Sequence, residues 1–224
     1  MIKNISNLGD AAVYCDFGNK VTKEINSNVI KYFKSLNKNK ILGITNITPS
    51  YNKLIISYDL EKIRFDQIKN KILEIKTEDI NSDENKIIKI PVCTDEEFCL
   101  DIERLSKKLK LDIGKILNIF FNKKYFCYMT GFIAGMPFLG DIDKALRLKR
   151  LETPRVKVPK GSIGITEQFS NIYTYESPGG WNIIGNTPTK IFDKLNQDNP
   201  LKINPGDIVE FYEITKTEYL NWNE

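Results

Sequence analysis

The sequence contains no histidine in 224 residues. Histidine is the usual general base near neutral pH and the commonest side-chain ligand of transition metals. Its absence excludes Ser-His-Asp and Cys-His hydrolysis, zincin-type metal sites and histidine phosphotransfer on this chain. Any chemistry must therefore use carboxylates, lysine, arginine, tyrosine, hydroxyls, thiols or backbone amides.

Cysteine is scarce as well. The four cysteines form no C-x-x-C pair, and the chain is much longer than a disulfide-stapled domain. We therefore expect reduced thiols that are mostly buried, and no metal on this chain.

Long apolar runs and charge of one sign are also missing. The longest uncharged run, between Lys124 and Asp141, is interrupted by glycine and proline and falls short of the roughly 20 apolar residues of a membrane helix. Residues 1–10 lack the apolar core of a signal peptide. The 33 basic and 29 acidic side chains nearly balance, and the lysines are scattered rather than gathered in the stripe of a nucleic-acid binder. We expect a soluble cytoplasmic protein with neither a nucleic-acid nor a membrane partner.

The hydrophobic fraction of 41% is that of a globular protein, and its N-terminal part alternates strand and helix patterns. A helix is predicted from the N-cap Thr22, and another over residues 60–76. Strands are predicted at residues 11–17, 41–44, 53–58 and 86–92. The resulting β-α-β-β-α-β order is that of a ferredoxin-like split βαβ lobe.

A polar, acidic stretch at residues 77–85 predicts an exposed linker. We place the domain boundary there, which gives a small α/β lobe at residues 1–82 and a second lobe at 83–224. Limited proteolysis is expected to cut this stretch first.

The second lobe starts with helical signals and then changes character. Thr94 and Glu97 have the spacing of a capping box and predict a helix start, and a second short helix is predicted from Asp112. After Tyr125, short β-type runs alternate with glycine and proline, which is typical of a β-barrel or sandwich. The predicted fold class is α+β.

Glycine and proline are concentrated in three segments: GFIAGMPFLG at 131–140, PRVKVPKGSIGI at 154–165 and SPGGWNIIGNTP at 177–188. Such glycines mark backbone that turns with positive φ or approaches a ligand closely, although turns alone would also account for them. The same segments carry cations and an aromatic ring, and cations with backbone amides bind carboxylates or phosphates.

These three segments, in this order, resemble the family of the B subunit of prokaryotic 5-oxoprolinase, which includes allophanate hydrolase subunit 1 and the Kip-type inhibitor of a sporulation histidine kinase. The resemblance covers essentially the whole chain. It implies a cyclophilin-like β-barrel after the small lobe, a C-type and an A-type subunit as partners, and ATP-dependent opening of 5-oxoproline to glutamate. ATP is expected only in the assembled complex, because this chain has no G-x-x-x-x-G-K-[ST] loop.

The chain departs from the family pattern at five positions. They are Phe120 for a frequent histidine, Ala134 for a proline, Glu167 for a glycine, Phe169 for a glutamine and Asn186 for an arginine. These departures lie mainly in pocket-forming segments. We therefore expect this chain to have the fold of the family, whereas the substrate of the family is a weaker expectation.

Arg155 is the first candidate for contact with a small carboxylate or lactam substrate, because a guanidinium offers a rigid donor fork; the alternative is an ion pair. We expect the other candidates to converge with it at a barrel mouth. They are Gly161, Ser162, Ser177, Gly179, Gly180 and Trp181. Replacing Arg155 by alanine is expected to weaken binding roughly ten- to a hundredfold.

Two carboxylates are secondary candidates, and no catalytic residue is assigned. Asp141 and the nearby Asp143 have two possible interpretations. They either orient an ammonium group or a water molecule, or they cap a loop. Glu167 serves as an acid or base only if burial raises its pKa. Ser162 has no histidine to activate it as a nucleophile.

The leading functional interpretation is an oxoprolinase subunit that is inactive alone. Two alternatives remain open: a Kip-type inhibitor that docks on a sensor histidine kinase, and allophanate hydrolase subunit 1 in urea metabolism, which requires a biotin-dependent carboxylase. The apolar run at residues 125–139 belongs to the core by default, and the alternative is that part of it binds the C-type subunit.

Overall fold

The computed structural model describes residues 1–77 and 86–223. Contacts divide the chain into two compact units, Met1–Asn85 and Lys86–Glu224. The predicted boundary after residue 82, and nearly all of the predicted linker, lie outside the described residues.

The N-terminal unit is a four-stranded antiparallel sheet with two helices. Its strands are β1 (Asn4–Asn7), β2 (Ala12–Asp16), β3 (Ile44–Pro49) and β4 (Lys53–Tyr58), in the order β1-β2-β4-β3. Its helices are α1 (Lys23–Asn39) and α2 (Phe65–Glu74). The Thr22 side chain accepts a hydrogen bond from the backbone N–H of Ile25 at 3.4 Å, so the predicted N-cap is confirmed.

Alternation along β4 shows how this unit forms its core. Leu54, Ile56 and Tyr58 are buried on one face of the sheet, as the period of two along a strand requires. The buried Ile68 and Ile72 of α2, four residues apart, belong to the same core cluster.

The second unit is built on a closed barrel of seven strands in the order β10-β7-β6-β13-β5-β12-β9. These strands are β5 (Ile87–Cys93), β6 (Lys124–Thr130), β7 (Pro137–Gly140), β9 (Ser162–Thr166), β10 (Phe169–Ile172), β12 (Asn182–Asn186) and β13 (Ile208–Ile214). β5 and β13 are parallel, and the other neighbouring pairs are antiparallel. A separate two-stranded sheet joins β8 (Arg155–Val158) to β11 (Ser177–Gly179).

The predicted α+β class with a barrel lobe is confirmed, but the predicted strand order of the small lobe is wrong in one element. The strand predicted at residues 86–92 is β5, which pairs with β13 and β12 in the barrel. Its place next to β2 is taken by β1, which was not predicted from the sequence. The observed order is therefore β-β-α-β-β-α, and the reason is that a short apolar run fits any buried strand equally well.

Three helices accompany the barrel: α3 (Ile102–Leu109), α4 (Ile113–Phe121) and α5 (Lys216–Leu220). The Asp112 side chain accepts from the N–H of Lys115 at 2.8 Å, which confirms the predicted start of α4. The predicted capping box is wrong, because the Thr94 hydroxyl donates to Glu213 instead. Only a 3-10 turn, Glu96–Phe98, follows, and α3 begins later.

The main core of the barrel unit joins the barrel strands to α3 and α4. Phe120 of α4 lies in it, with its ring stacked on Phe211 at a centroid distance of 5.0 Å. All four cysteines are free and buried.

Within residues 1–77 and 86–223, no helix is long and apolar enough to cross a membrane. The same residues include no group of three or more Cys, Asp or Glu side chains placed to hold a metal ion.

Candidate ligand-binding site

Arg155, the leading candidate from the sequence, is the partner of a buried carboxylate. Its Nη2 lies 2.7 Å from Oδ1 of Asp101, whose side chain is 4% exposed. The second carboxylate oxygen of Asp101 accepts from the backbone N–H of Ile183 at 2.7 Å. Asp101 therefore ties the start of β8 to β12, and both of its oxygens have a donor.

The SPGGW segment lies beside this ion pair. Gly179 is opposite Arg155 in the β11–β8 pair, and Ser177 is opposite Val158. A Cβ atom on Gly179 would lie 2.1 Å from the hydroxyl of Tyr173, so only glycine fits between these strands and that ring.

Trp181 is the last member of this group of residues. We name the group the Arg155 cluster, and it consists of Asp101, Arg155, Tyr173, Gly179 and Trp181. Trp181 is 8% exposed, and its ring packs edge-on against Phe138 at 5.7 Å. Burial raises the pKa of Tyr173, so its hydroxyl stays protonated.

Two polar atoms beside or within the Arg155 cluster are buried and have no hydrogen-bond partner among the described residues: Nη1 of Arg155 and Oγ of Ser177. Because Nη1 is buried, a ligand reaches it only if the cluster opens.

Gly161 and Ser162 lie beside Asn186 instead. Gly161 has φ +83°, and a Cβ atom there would lie 2.4 Å from both Oδ1 of Asn186 and the carbonyl oxygen of Thr187. Both the backbone conformation and the space therefore demand glycine. Ser162 begins β9 and is 2% exposed; the Asn186 amide lies 3.5 Å from its hydroxyl and donates to the Lys160 carbonyl at 2.9 Å.

These residues border a cavity of about 260 Å³, which we name the Ser162 cavity. It is lined by Glu97, Phe98, Leu100, Pro159, Lys160, Ser162, Asn186 and Tyr219. A cation, a hydroxyl and an amide beside apolar surface suit a small molecule that carries a carboxylate or an amide.

The C-terminal helix α5 forms one side of the Ser162 cavity. The Tyr219 hydroxyl donates to Oδ1 of Asn186 at 2.9 Å, and the Tyr219 ring packs against Phe98 at a centroid distance of 4.5 Å. Tyr219 was not predicted from the sequence. The sequence did contain a signal for the helix that carries Tyr219, because Thr215 and Glu218 form a true capping box at the start of α5.

The secondary candidates lie elsewhere. Asp141 accepts from the Tyr128 hydroxyl at 3.1 Å and from the Gln168 amide at 3.4 Å. Asp143 accepts from the N–H of Ala145 at 2.8 Å, which is the loop-capping alternative. Glu167 is exposed, with φ +45°, in the turn between β9 and β10, so the burial that an acid or base role required is absent.

Of the five departures from the family pattern, Asn186 is the one that lines the Ser162 cavity. The Ala134 carbonyl accepts from the Thr174 hydroxyl at 2.7 Å. Phe169 packs edge-on against Tyr128 at 5.6 Å, and Phe120 is part of the core.

The N-terminal unit has a larger groove, of about 540 Å³, along β3 and the end of α1. Leu42, Asn46 and Lys62 are among its lining residues, and none of the three motif segments reaches it. Its lining carries no residue that the sequence selected for chemistry.

Among the described residues, neither the Ser162 cavity nor the loop before α1 has the features of a triphosphate site. The Ser162 cavity is smaller than the roughly 300–1,000 Å³ of pockets for drug-sized ligands. Before α1, the N–H of Gly18 already donates to Asp16 at 2.7 Å, and Thr22 caps the helix.

Comparison with known proteins identifies the family of this chain. The chain belongs to the family described as the carboxyltransferase domain, subdomain C and D, which matches residues 3–203. It is similar to the B subunit of 5-oxoprolinase from Bacillus subtilis (strain 168), with 30% identity over 232 residues that cover 98% of this chain and 96% of the relative. The resemblance inferred from the three motif segments is confirmed.

Two solved structures share the fold. TTHA0988 is 28% identical with a TM-score of 0.82; the match covers 91% of this chain but 40% of that one. PH0987 from Pyrococcus horikoshii is 33% identical with a TM-score of 0.58; the match covers 96% of this chain and 100% of that one. The fold thus occurs both as a whole chain and as less than half of a longer one.

Proposed function

We propose that this chain is a subunit of an ATP-dependent 5-oxoprolinase, inactive alone, that binds 5-oxoproline in the Ser162 cavity within a complex with A-type and C-type subunits. One observation carries the proposal: two of the three motif segments meet at this cavity. The P-x-G-S segment contributes Lys160 and Ser162, and the I-G-x-T-P segment contributes Asn186.

The lining matches the chemistry of the substrate, which has a carboxylate and a lactam amide on a compact ring. Lys160 attracts the carboxylate, and Phe98 packs against the ring. The Ser162 hydroxyl donates to the lactam oxygen, where negative charge develops when the amide is activated. With no histidine to deprotonate it, Ser162 acts as a hydrogen-bond donor and not as a nucleophile.

Asn186 keeps this arrangement in place without touching the reacting amide. Its amide group bonds the Lys160 carbonyl on one side and Tyr219 on the other, so the turn that carries Lys160 is fixed relative to β12. ATP, in this proposal, is bound by the other subunits.

Reconstitution tests the proposal. Glutamate formation from 5-oxoproline and ATP is measured for the chain alone, for the A-type and C-type subunits together, and for all three. We expect turnover only in the complete mixture. Turnover by the lone chain, or none with all three subunits, would contradict the proposal.

Ser162→Ala sharpens the test, because the loss of one donor to a developing oxyanion costs roughly a hundredfold in kcat. Ser6→Ala, in β1 of the N-terminal unit, is the matched control and should leave kcat unchanged.

A further inference from the structure

Three side chains that line the Ser162 cavity form a row of hydrogen-bonding groups. Tyr219, Asn186 and Ser162 all border the cavity. The Tyr219 hydroxyl lies 2.9 Å from Oδ1 of Asn186, and Nδ2 of Asn186 lies 3.5 Å from the Ser162 hydroxyl oxygen. Tyr219 comes from α5, which begins at Lys216, whereas the family match ends at residue 203. The direction of the protons along this row determines what the cavity offers a ligand.

The Lys160 carbonyl fixes the orientation of the Asn186 amide. This carbonyl only accepts hydrogen bonds, and it lies 2.9 Å from Nδ2 of Asn186. If the amide were reversed, two acceptor oxygens would face each other at this distance. Nδ2 therefore points to Lys160 and Ser162, and Oδ1 points to Tyr219.

Each hydroxyl beside this amide then has a fixed role. Oδ1 only accepts, so the Tyr219 hydroxyl donates to it. Burial, more than the nearby Cys93 and Glu97, raises the pKa of Tyr219, which keeps this proton on the phenol. Nδ2 only donates, so the Ser162 oxygen accepts from it. Among the residues that the structure describes, no acceptor takes the proton of Ser162 itself, and this proton is therefore available to a ligand in the cavity.

We propose that Tyr219 and Asn186 are positioning residues of a donor chain that ends on Ser162. Each group donates to the next, from the Tyr219 hydroxyl through the Asn186 amide to the Ser162 hydroxyl, whose proton is directed to an oxygen of the ligand. Hydrogen bonds that run in one direction polarise one another, so the donor chain strengthens its last donor as negative charge develops on that oxygen. The choice of a lactam oxygen rests on the proposed function, whereas the direction of the donor chain follows from the contacts of Asn186.

The longest step of the donor chain is the 3.5 Å separation between Asn186 and Ser162. Hydrogen bonds of a catalytic site are often long without substrate and shorten when the substrate binds. Ser162 and Asn186 are opposite each other in the β9–β12 pair. Because opposite residues on one face of a sheet are neighbours, the strand register keeps these two side chains together when no ligand is bound.

A double-mutant cycle in the reconstituted complex tests the donor chain, with kcat and KM measured for 5-oxoproline. Ser162→Ala is the reference, with its loss of roughly a hundredfold in kcat. Tyr219→Phe keeps the ring that packs against Phe98 and removes only the hydroxyl. We expect kcat to fall by about three- to tenfold and KM to stay the same. In the Ser162→Ala background the same change should alter kcat by less than about twofold, because Tyr219 acts through Ser162.

Asn186→Asp interrupts the donor chain at its middle. The carboxylate has nearly the same shape as the amide but has no proton to donate, so it accepts from Ser162 and turns the Ser162 proton away from the ligand. We expect kcat to fall about as far as in Ser162→Ala, and no further when the two changes are combined. The new charge repels the substrate carboxylate whether or not Ser162 is present, so it raises KM in both backgrounds.

A binding measurement gives a second readout that does not require turnover. Calorimetry on the full chain, alone and in the complex, compares 5-oxo-L-proline with 5-thioxo-L-proline, whose sulfur is the weaker acceptor. The native chain should bind the oxygen compound about three- to tenfold more tightly. This preference should be smaller in Tyr219→Phe and should shrink to within about twofold in Ser162→Ala. Tyr212→Phe removes the hydroxyl of an exposed tyrosine that does not line the cavity, and it should change neither the preference nor kcat.

The outcomes separate this inference from the proposed function. Additive effects of Tyr219→Phe and Ser162→Ala, or no preference for the oxygen compound in the native chain, overturn the donor chain. A preference that depends on Ser162 and Tyr219, without ATP-dependent turnover in the complete complex, supports the donor chain and refutes the oxoprolinase assignment. Turnover with additive effects does the reverse. Near-ultraviolet circular dichroism shows that each variant is folded.

Discussion

The Arg155 cluster and the Ser162 cavity arise from the same glycine-rich motif segments, yet they use their cations in opposite ways. Arg155 meets the buried carboxylate of Asp101 and holds strands together. Lys160 meets no carboxylate among the described residues and borders open space. The residue that faces a cation inside the fold, and not the motif that carries the cation, therefore decides whether the cation serves packing or a ligand.

Removing the carboxylate of the Arg155 cluster should lower the stability of the protein most. Asp101→Ala leaves a guanidinium without its buried partner and the N–H of Ile183 without an acceptor. We expect the free energy of unfolding to fall by about 3–5 kcal/mol, measured by urea denaturation. A loss below about 1 kcal/mol would mean that the pair does not hold the strands.

Arg155→Ala is the complementary variant, and it separates two roles. If Arg155 is structural, unfolding becomes easier while the affinity of the Ser162 cavity for 5-oxoproline stays within about twofold. A ten- to hundredfold loss of affinity for 5-oxoproline, as expected from the sequence, would show instead that Arg155 contacts the substrate.

The next effect concerns the two adjacent glycines of SPGGW. Gly179→Ala places a methyl group against the Tyr173 hydroxyl and should cost about 2–3 kcal/mol of unfolding free energy. At Gly180 the nearest atom to an added Cβ is 3.5 Å away, on Pro154, so Gly180→Ala should cost less than about 1 kcal/mol. Equal effects in the two variants would contradict the packing of β11 against Tyr173.

The last effect is kinetic and leaves the stability of the protein unchanged, and it extends the comparison to the two units. Burial raises the pKa of Cys15, in the N-terminal unit, and of Cys99, in the barrel unit, to about 12. A raised pKa lowers the thiolate fraction at pH 8, so a thiol reagent should label both cysteines roughly a thousandfold more slowly than in the unfolded chain.

Labelling in increasing urea then reports the opening of each unit separately. Cys15→Ser assigns the signal of the N-terminal unit. Rapid labelling of the native chain would contradict the burial of these thiols.

Local signals predicted local structure well in this chain. Thr22 and Asp112 cap their helices as predicted, because an N-cap needs only a side-chain oxygen and the next turn of backbone. Thr94 and Glu97 carried the same kind of signal and failed, since Glu213, distant in sequence, took the Thr94 hydroxyl. A capping motif thus predicts a helix only where no tertiary partner competes for its side chains.

The candidate site was predictable only in part, for the same reason. Gly161 and Ser162 stand out in the sequence, and the structure places them beside a cavity. Nothing local indicates that Arg155 faces Asp101, or that Tyr219 reaches Asn186, because both contacts join segments far apart in the chain. The strand at residues 87–93 was misassigned because its apolar pattern does not encode which partner it pairs with.

The parallel pairing of β5 with β13 has a consequence for how the protein is made. The first strand of the barrel unit lies beside its last strand, with Ile87 opposite Ile208. During synthesis the barrel cannot close until the chain through residue 214 has left the ribosome, whereas the elements of the N-terminal unit are complete by residue 74. The small unit is thus free to fold first. Closure of the barrel needs contacts of long sequence separation, so it is the slow step. Until the barrel closes, β5 is not paired with β13.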